Sequence, residues 1–320
     1  MPEVWRNESS TITRACRDIG KKMDVKKILL KVFDWIQNII IAVFVVMVFW
    51  LLLRFTTYAS FRIPSDSMEP SVLVGDKVIV NKWIIGGRVV NIWDDIPEDE
   101  ELTVKRLPGM RKARRNDLLV FNFPYPGPWD SLGFSMKTSY YIKRCVAQPG
   151  DTFEIRNARY MVQGCDDSLG NVESQEMLAG LVSSGRAYDM GIVMTGYPYM
   201  VDVGWNIMNF GPLYIPKAGD TIKLDRMAYV LYRQVIEWEQ KQKLRIEGDE
   251  VYLGDIRISD YTFKTDCYFV TGDNVLNSQD SRYWGLLPEP FILGVATRIG
   301  KSVNPINGSI RWDRVLKKIE

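Results

Sequence analysis

Residues 141–156 read YIKRCVAQPGDTFEIR, and they hold the pattern that governs most of the chain beyond residue 55. A short run framed by Ile142 and Val146 gives way to Gly150-Asp151, and TFEIR follows with alternating apolar and polar side chains. A Gly-Asp pair favours a tight turn, and a period-two run puts successive side chains on opposite faces of a strand. The same unit recurs. Gly75-Asp76 precedes KVIVNKW, Gly219-Asp220 precedes TIKL, Gly248-Asp249 precedes EVYL, Gly254-Asp255 precedes IRIS, and Gly272-Asp273 opens a further loop. This spacing predicts a mostly β region. The echo between residues 149–155 (PGDTFEI) and 218–224 (AGDTIKL) reads as a recurring turn-to-strand solution and not as an internal repeat. One stretch breaks the pattern. Val230, Leu231, Val235, Ile236 and Trp238 follow helical spacing and predict a helix from Met227 to about Lys243.

Upstream, Ile39 to Leu53 is unbroken apolar sequence. A helix from Trp35 to Phe55 would span about 30 Å, the thickness of a bilayer core, with Trp35 and Trp50 near the two interfaces. No polar face exists over that run, which argues against a buried core helix. Lys21, Lys22, Lys26, Lys27 and Lys31 precede it, whereas only Arg54 and Arg62 follow closely. The positive-inside rule then predicts a cytoplasmic basic segment at 1–34, a transmembrane helix at 35–55 and an exported remainder. A cleaved signal peptide is the alternative, since Thr57-Tyr58-Ala59 has small residues where such cleavage needs them. The long n-region and h-region favour a retained anchor, and slow self-release after Ala59 is a further expectation.

Composition narrows the chemistry. The 320 residues contain no histidine, which removes Ser-His-Asp and Cys-His catalysis and His-ligated zinc. Acid–base work near neutral pH then falls to a carboxylate, lysine, cysteine or tyrosine with a shifted pKa. A net charge of +2 gives no basic field for nucleic acid. The basic run from Lys105 to Arg115 reads either as a solvated loop or as a contact for anionic lipid headgroups. Of the four cysteines, Cys16 precedes the span. Cys145, Cys165 and Cys267 follow it and allow at most one disulfide, whose pairing the sequence leaves open.

Three segments carry hydrogen-bonding groups in dense array. Pro64-Ser65-Asp66-Ser67-Met68-Glu69-Pro70 places two serines in a turn bracketed by prolines, which hold a loop in one shape. In the second segment Lys143 sits in an apolar strand. Most strand lysines point to solvent, but a desolvated one would lose its proton more readily and serve as a base. Residues 272–285, GDNVLNSQDSRYWG, form a Gly-bounded polar loop, either a self-capped turn or the support of a site.

Together with residues 75–82 (GDKVIVNK) and 115–121 (RNDLLVF), these segments resemble the bacterial type I signal peptidases, whose boxes they match in order after a membrane anchor. The resemblance is strong over about residues 60–151 and 267–300 and weak over 152–266. It implies a signal-peptidase-like antiparallel β-sheet catalytic domain built from 56–151 and 267–320. Residues 152–266 would be a large inserted β-rich region with one helix. The resemblance also assigns roles: Ser67 as nucleophile, Lys143 as general base, Ser65 as oxyanion donor beside the Ser67 N–H, and Ser278 as the hydroxyl that orients the lysine amine. Asp280 and Arg282 match structural loop residues, and Asp273 is expected to pair with Arg144. The implied substrates are the signal peptides of exported preproteins with small residues at −1 and −3. The implied setting is the outer side of the bacterial inner membrane, in contact with the lipid bilayer and in functional proximity to the export translocon. No cofactor is needed, since side chains and water complete the chemistry. A self-cleaving repressor-type peptidase shares a Ser-Lys dyad but predicts a DNA-binding N-terminal domain in place of a membrane helix. A tethered adhesion module would not need both Ser67 and Lys143.

Overall fold

The computed structural model describes residues 27–51, 57–90, 104–134, 139–248 and 250–319. Cys16, Lys21, Lys22, Lys26, Arg54, Phe55 and Asp249 lie outside the described residues, as does most of the expected cytoplasmic segment.

Helix α1 runs Lys27–Leu51, with a mean hydropathy of 2.2 over its most apolar stretch and none of that stretch covered by protein. At about 37 Å it exceeds a bilayer core. It is the only helix among the described residues long and apolar enough to cross a membrane. It begins eight residues before the expected Trp35, because Ile28, Leu29, Leu30, Val32 and Phe33 continue the apolar helix past Lys31 and Asp34.

Residues 57–320 cluster as one compact unit. In chain order its strands are β1 (Tyr58–Arg62), β2 (Asp76–Asn81), β3 (Arg88–Val90), β4 (Val104–Arg106), β5 (Leu118–Asn122), β6 (Tyr140–Ala147), β7 (Thr152–Arg156), β8 (Arg159–Val162), β9 (Phe210–Tyr214), β10 (Thr221–Lys223), β11 (Leu244–Glu247), β12 (Glu250–Leu253), β13 (Ile256–Ile258), β14 (Asp260–Thr262), β15 (Cys267–Thr271), β16 (Leu287–Pro288) and β17 (Ile292–Ser302). The central sheet has seven strands in the order β1-β2-β17-β5-β6-β15-β16, and all neighbours are antiparallel. Strand β5 is buried along its whole length, as an apolar run in mid-sheet should be. Its side chains alternate between two cores. Leu118 and Val120 join Ile63, Met68, Val78 and Ile142, while Leu119 and Phe121 join the larger cluster on the other face. At the turn into β2, Gly75 has φ +90°, and a Cβ there would lie 2.0 Å from the Val303 carbonyl oxygen, so only glycine fits.

Residues 152–266 contribute the three-stranded sheets β8-β7-β9 and β11-β12-β13 and the pair β10-β14. Their core is continuous with that of the central sheet. Phe153, Leu178, Phe210, Leu231 and Ile236 belong to the same cluster as Phe121 and Phe269, and the Phe153 and Phe269 ring centroids are 4.6 Å apart.

The expectation of one helix in 152–266 needs correction, because the described residues of that region form two: α2 (Val172–Ser183) and α3 (Arg226–Gln240). Helix α3 is the expected one. The Asp225 side chain caps it by accepting the Ala228 N–H, and the helix stops at Lys241 in the left-handed region. Helix α2 hides its period because polar Ser174 and Gln175 occupy its buried face beside Leu178 and Leu181. Both are satisfied there. The Tyr160 N–H donates to Gln175 Oε1 at 3.0 Å, and Gln175 Nε2 donates to the Leu169 carbonyl at 2.7 Å.

Three further expectations meet the coordinates. Ala59 lies within β1, paired with Val80, so self-release after it requires β1 to leave the sheet. The basic segment is largely tied down. Arg111 pairs with Asp117, Lys112 with Asp266 and Arg115 with Asp151, while Arg106 donates to the Gly86 and Ile292 carbonyls. Cys145, Cys165 and Cys267 are all free thiols.

Candidate active site

The turn 65–70 that carries Ser67 is anchored by Met68, which is fully buried in the smaller core. Within it the Glu69 N–H donates to the Asp66 carbonyl at 2.9 Å and the Val72 N–H to the Met68 carbonyl at 2.9 Å. Strand β6 is paired on one side with β5, where Lys143 faces Leu119, and on the other with β15. This mid-sheet position sets the fate of the lysine. Its side chain is 3% exposed and Ser67 is 8% exposed. The Lys143 amine donates to Ser67 Oγ at 2.6 Å, across 76 positions of sequence. Burial pushes the Lys143 amine down to about 8, against an opposing pull from the Asp280 carboxylate. A lysine at that value is partly neutral near physiological pH and can accept a proton.

The loop between β15 and β16 closes the site from the other side. Arg144, next to Lys143 on β6, makes a two-point ion pair with Asp273, Nε to Oδ1 and Nη2 to Oδ2 both at 2.7 Å. Arg144 also donates to the Asn116 carbonyl at 2.9 Å and to Ser71 Oγ at 3.0 Å, which links β6 to the serine-bearing turn. Asp280 and Arg282 form a second pair, both 0% exposed, with contacts of 2.8 Å. Asp280 Oδ2 accepts the Gly272 N–H at 2.8 Å, and the Arg282 guanidinium donates to the carbonyls of Val275 (3.1 Å) and Ser278 (3.4 Å). Burial alone would raise the Asp280 carboxyl; the Arg282 guanidinium beside it holds it below the usual range. Short helix α4 (Ser281–Trp284) starts on this pair, with Asp280 as its cap.

Gly272 is the tightest point. A Cβ there would lie 2.2 Å from Ser278 Oγ and 2.4 Å from the Ser67 carbonyl oxygen. Ser65 Oγ and Ser67 Oγ are 3.5 Å apart, and Ser65 is exposed at the mouth. Ser278 Oγ is buried against Gly272 and makes no hydrogen bond among the described residues, since the lysine amine is directed to Ser67. Among the described residues no backbone carbonyl accepts the Ser67 N–H. A cleft of about 450 Å³ opens over Ser67 and Lys143, with Ile63, Val78, Val120 and Ile142 in its apolar wall and Asn277 and Gln279 at its polar rim.

Some of the supporting contacts were not singled out from sequence. The Asn274 N–H donates to the Ser67 carbonyl at 3.1 Å, and Asn277 Nδ2 donates to both Asp66 carboxylate oxygens at 3.0 and 3.1 Å. Two asparagines in a Gly-bounded loop were a visible signal for such bonds. The Val275 N–H donates to Ser174 Oγ of α2 at 2.9 Å, and nothing local in the sequence announced that contact across 101 positions.

Comparison with known proteins places this arrangement among relatives. The family model described as "Signal peptidase, peptidase S26" matches residues 33–186 and 215–299. A signal peptidase I of Buchnera aphidicola subsp. Schizaphis graminum is 26% identical over 265 residues, covering 78% of this chain and 70% of the relative. One from Pseudomonas aeruginosa is 27% identical, covering 79% and 68%. One from Helicobacter pylori strain J99 is 24% identical, covering 90% and 91%.

Proposed function

This chain belongs to the signal peptidase family, peptidase S26, as a serine endopeptidase of the type I class, and on that premise we propose that Ser67 and Lys143 are its catalytic dyad. The observation that carries the reading is the 2.6 Å contact between Lys143 and Ser67 inside a desolvated cleft.

With the amine neutral, its lone pair lies along the line that the hydrogen bond now occupies. Ser67 Oγ attacks the scissile carbonyl carbon while its proton passes to Lys143 Nζ. The Ser67 N–H and the Ser65 hydroxyl at the mouth donate to the carbonyl oxygen as it takes up negative charge; one such donor contributes about 3–4 kcal/mol to the transition state. Protonated Lys143 then gives its proton to the leaving amine, the peptide bond breaks, and an acyl ester remains on Ser67. Water, deprotonated by the neutral lysine, hydrolyses that ester and restores the hydroxyl. Ser278, whose buried hydroxyl abuts Gly272, is the group assigned to orient the amine during the cycle. Arg144, Asp273, Asp280 and Arg282 hold the lysine strand and the loop in register.

The substrates are the signal peptides of exported preproteins. The apolar wall of Ile63, Val78, Val120 and Ile142 suits small residues at −1 and −3. Helix α1 anchors the chain in the inner membrane, with the N-terminus cytoplasmic and residues 57–320 outside, beside the export machinery. The test is cleavage of a preprotein with an Ala-x-Ala site. Ser67→Ala and Lys143→Ala are each expected to lower turnover by at least about 1,000-fold. Near-normal turnover by Lys143→Ala would sink the dyad.

A further inference from the structure

Residues 187–214 are the internal stretch that the family model leaves unmatched. They nevertheless pack on the loop that closes the active site. The Tyr197 N–H donates to the Arg282 carbonyl at 2.8 Å. Gly196 approaches the same carbonyl so closely that a Cβ would lie 2.6 Å from its oxygen. The Tyr197 ring fills the space beside Gly285, where a Cβ would meet it at 2.8 Å. Tyr197 itself is 5% exposed, and its hydroxyl donates to the Leu231 carbonyl of α3 at 2.6 Å. At the rim, the Tyr283 hydroxyl donates to the Val193 carbonyl at 3.0 Å.

Arg282 therefore faces two ways. Its guanidinium holds Asp280 and the Ser278 carbonyl on the catalytic side, and its carbonyl is held by Tyr197 on the other. Asp280 in turn holds the Gly272 N–H, and Gly272 abuts Ser67 and Ser278. Only two residues, Arg282 and Asp280, separate Tyr197 from the backbone that packs on the nucleophile. Tyr197 is tied at its backbone and at its hydroxyl, so the loop cannot drift from α3 without breaking a bond.

We propose that Tyr197, seated by Gly196, is a positioning residue for the Ser67–Lys143 pair, supplied by a stretch the family model leaves unmatched and acting through Arg282. The proposal rests on the dyad assigned above. Displacing the Arg282 carbonyl moves Asp280 and the Gly272 backbone, loosens the cover over Lys143 and admits water to the amine. Rehydration favours the charged lysine, so less of it is neutral at a given pH.

The experiment uses full-length protein in detergent micelles and a peptide with an Ala-x-Ala site, with kcat and KM followed across pH and melting temperature measured alongside. Gly196→Ala and Tyr197→Leu are expected to move the rising limb of kcat/KM upward by about one pH unit. That shift lowers kcat/KM about tenfold at pH 7, with KM held within about twofold. Tyr197→Phe keeps the ring and the backbone donor and recovers at least about half of the shift. Folded Gly196→Ala and Tyr197→Leu proteins with lower melting temperatures but an unmoved limb would overturn the proposal and leave Tyr197 a core residue only. If Gly196→Ala and Tyr197→Leu fail to fold, Tyr283→Phe carries the test, since it removes only the rim hydroxyl that tethers Val193. An upward limb shift of a few tenths of a unit supports the proposal, and an unmoved limb overturns it. A wild-type profile with no rising limb near pH 8 overturns the base assignment itself, and this proposal with it. A wild-type limb with unmoved variants overturns the positioning role alone.

Discussion

The central sheet and residues 152–266 share the larger core, yet they bury different kinds of group. In the part of the chain that builds the sheet and its loops, Asp76, Lys143, Arg144, Asp151, Asp273, Asp280, Arg282 and Arg314 are all buried. In residues 152–266 only Glu237 and Asp266 are buried charges among the described residues, and apart from the neutral Ser174 and Gln175 the interior is mainly aromatic and aliphatic. Desolvating an ion costs several kcal/mol, so buried charges are expected to be paired. Nearly all of these are: Asp76 with Arg314, Asp151 with Arg115, Asp273 with Arg144, and Asp280 with Arg282. Lys143 is the exception, since its hydrogen-bond partner is a hydroxyl. Among the described residues it is the one buried charged side chain without an opposite charge at contact distance.

The contrast predicts that substitutions in the sheet region change chemistry together with stability, and that those in residues 152–266 away from the Tyr197–Arg282 contact change stability alone. The largest effect is expected from Asp273→Ala. It leaves the Arg144 guanidinium, 6% exposed, without its counter-charge. Breaking such a pair costs about 3–5 kcal/mol. Asp273 lies between Gly272 and Asn274, both of which touch Ser67, so turnover of the protein that remains folded should fall as well. Denaturant titration and kcat measured on the same sample check both halves; lost stability with unchanged kcat would break the comparison on the sheet side.

Ile236→Ala is the counterpart within residues 152–266. Ile236 is 0% exposed on α3, and the truncation should cost about 3 kcal/mol through lost burial and the cavity left behind. The kcat of the folded fraction should not change. A fall in kcat at unchanged fraction folded would blur the distinction between the regions.

The smallest effect, and the one of opposite sign, is Lys143→Met. In the folded protein the amine titrates at about 8, below the ordinary lysine value. Between that pH and the ordinary value the unfolded chain binds more protons than the native one, so native stability rises with pH across this window. Below about pH 8 the burial penalty is present in full. Removing the amine should therefore stabilise the inactive protein at pH 7, by at most about 3 kcal/mol, and the gain should vanish above about pH 10.5. Melting curves of both proteins from pH 6 to pH 11 test it, and a gain that does not depend on pH would assign the effect to packing.

Much of this was legible in the residues. The Gly-Asp turns and period-two runs marked the strands, because turn geometry and pleat are local properties. The apolar run gave the helix α1, and the helical spacing of Val230, Leu231, Val235, Ile236 and Trp238 gave α3. Absence of histidine, together with Ser67 and Lys143 inside matching boxes, pointed to the dyad. Helix α2 escaped because its buried face carries Ser174 and Gln175, whose hydrogen bonds reach Val275, Tyr160 and Leu169. No periodicity of apolar residues could reveal a face satisfied by polar contacts.

The sequence by itself determined which groups could do the chemistry, since residue type limits what can act as nucleophile or base. Only the tertiary structure decided that Lys143 is buried, that it meets Ser67 across 76 positions, and that the Tyr197 N–H meets the Arg282 carbonyl from a stretch the family model leaves unmatched. Desolvation and contact are properties of what surrounds a side chain, and those surroundings come from strands far apart in the chain.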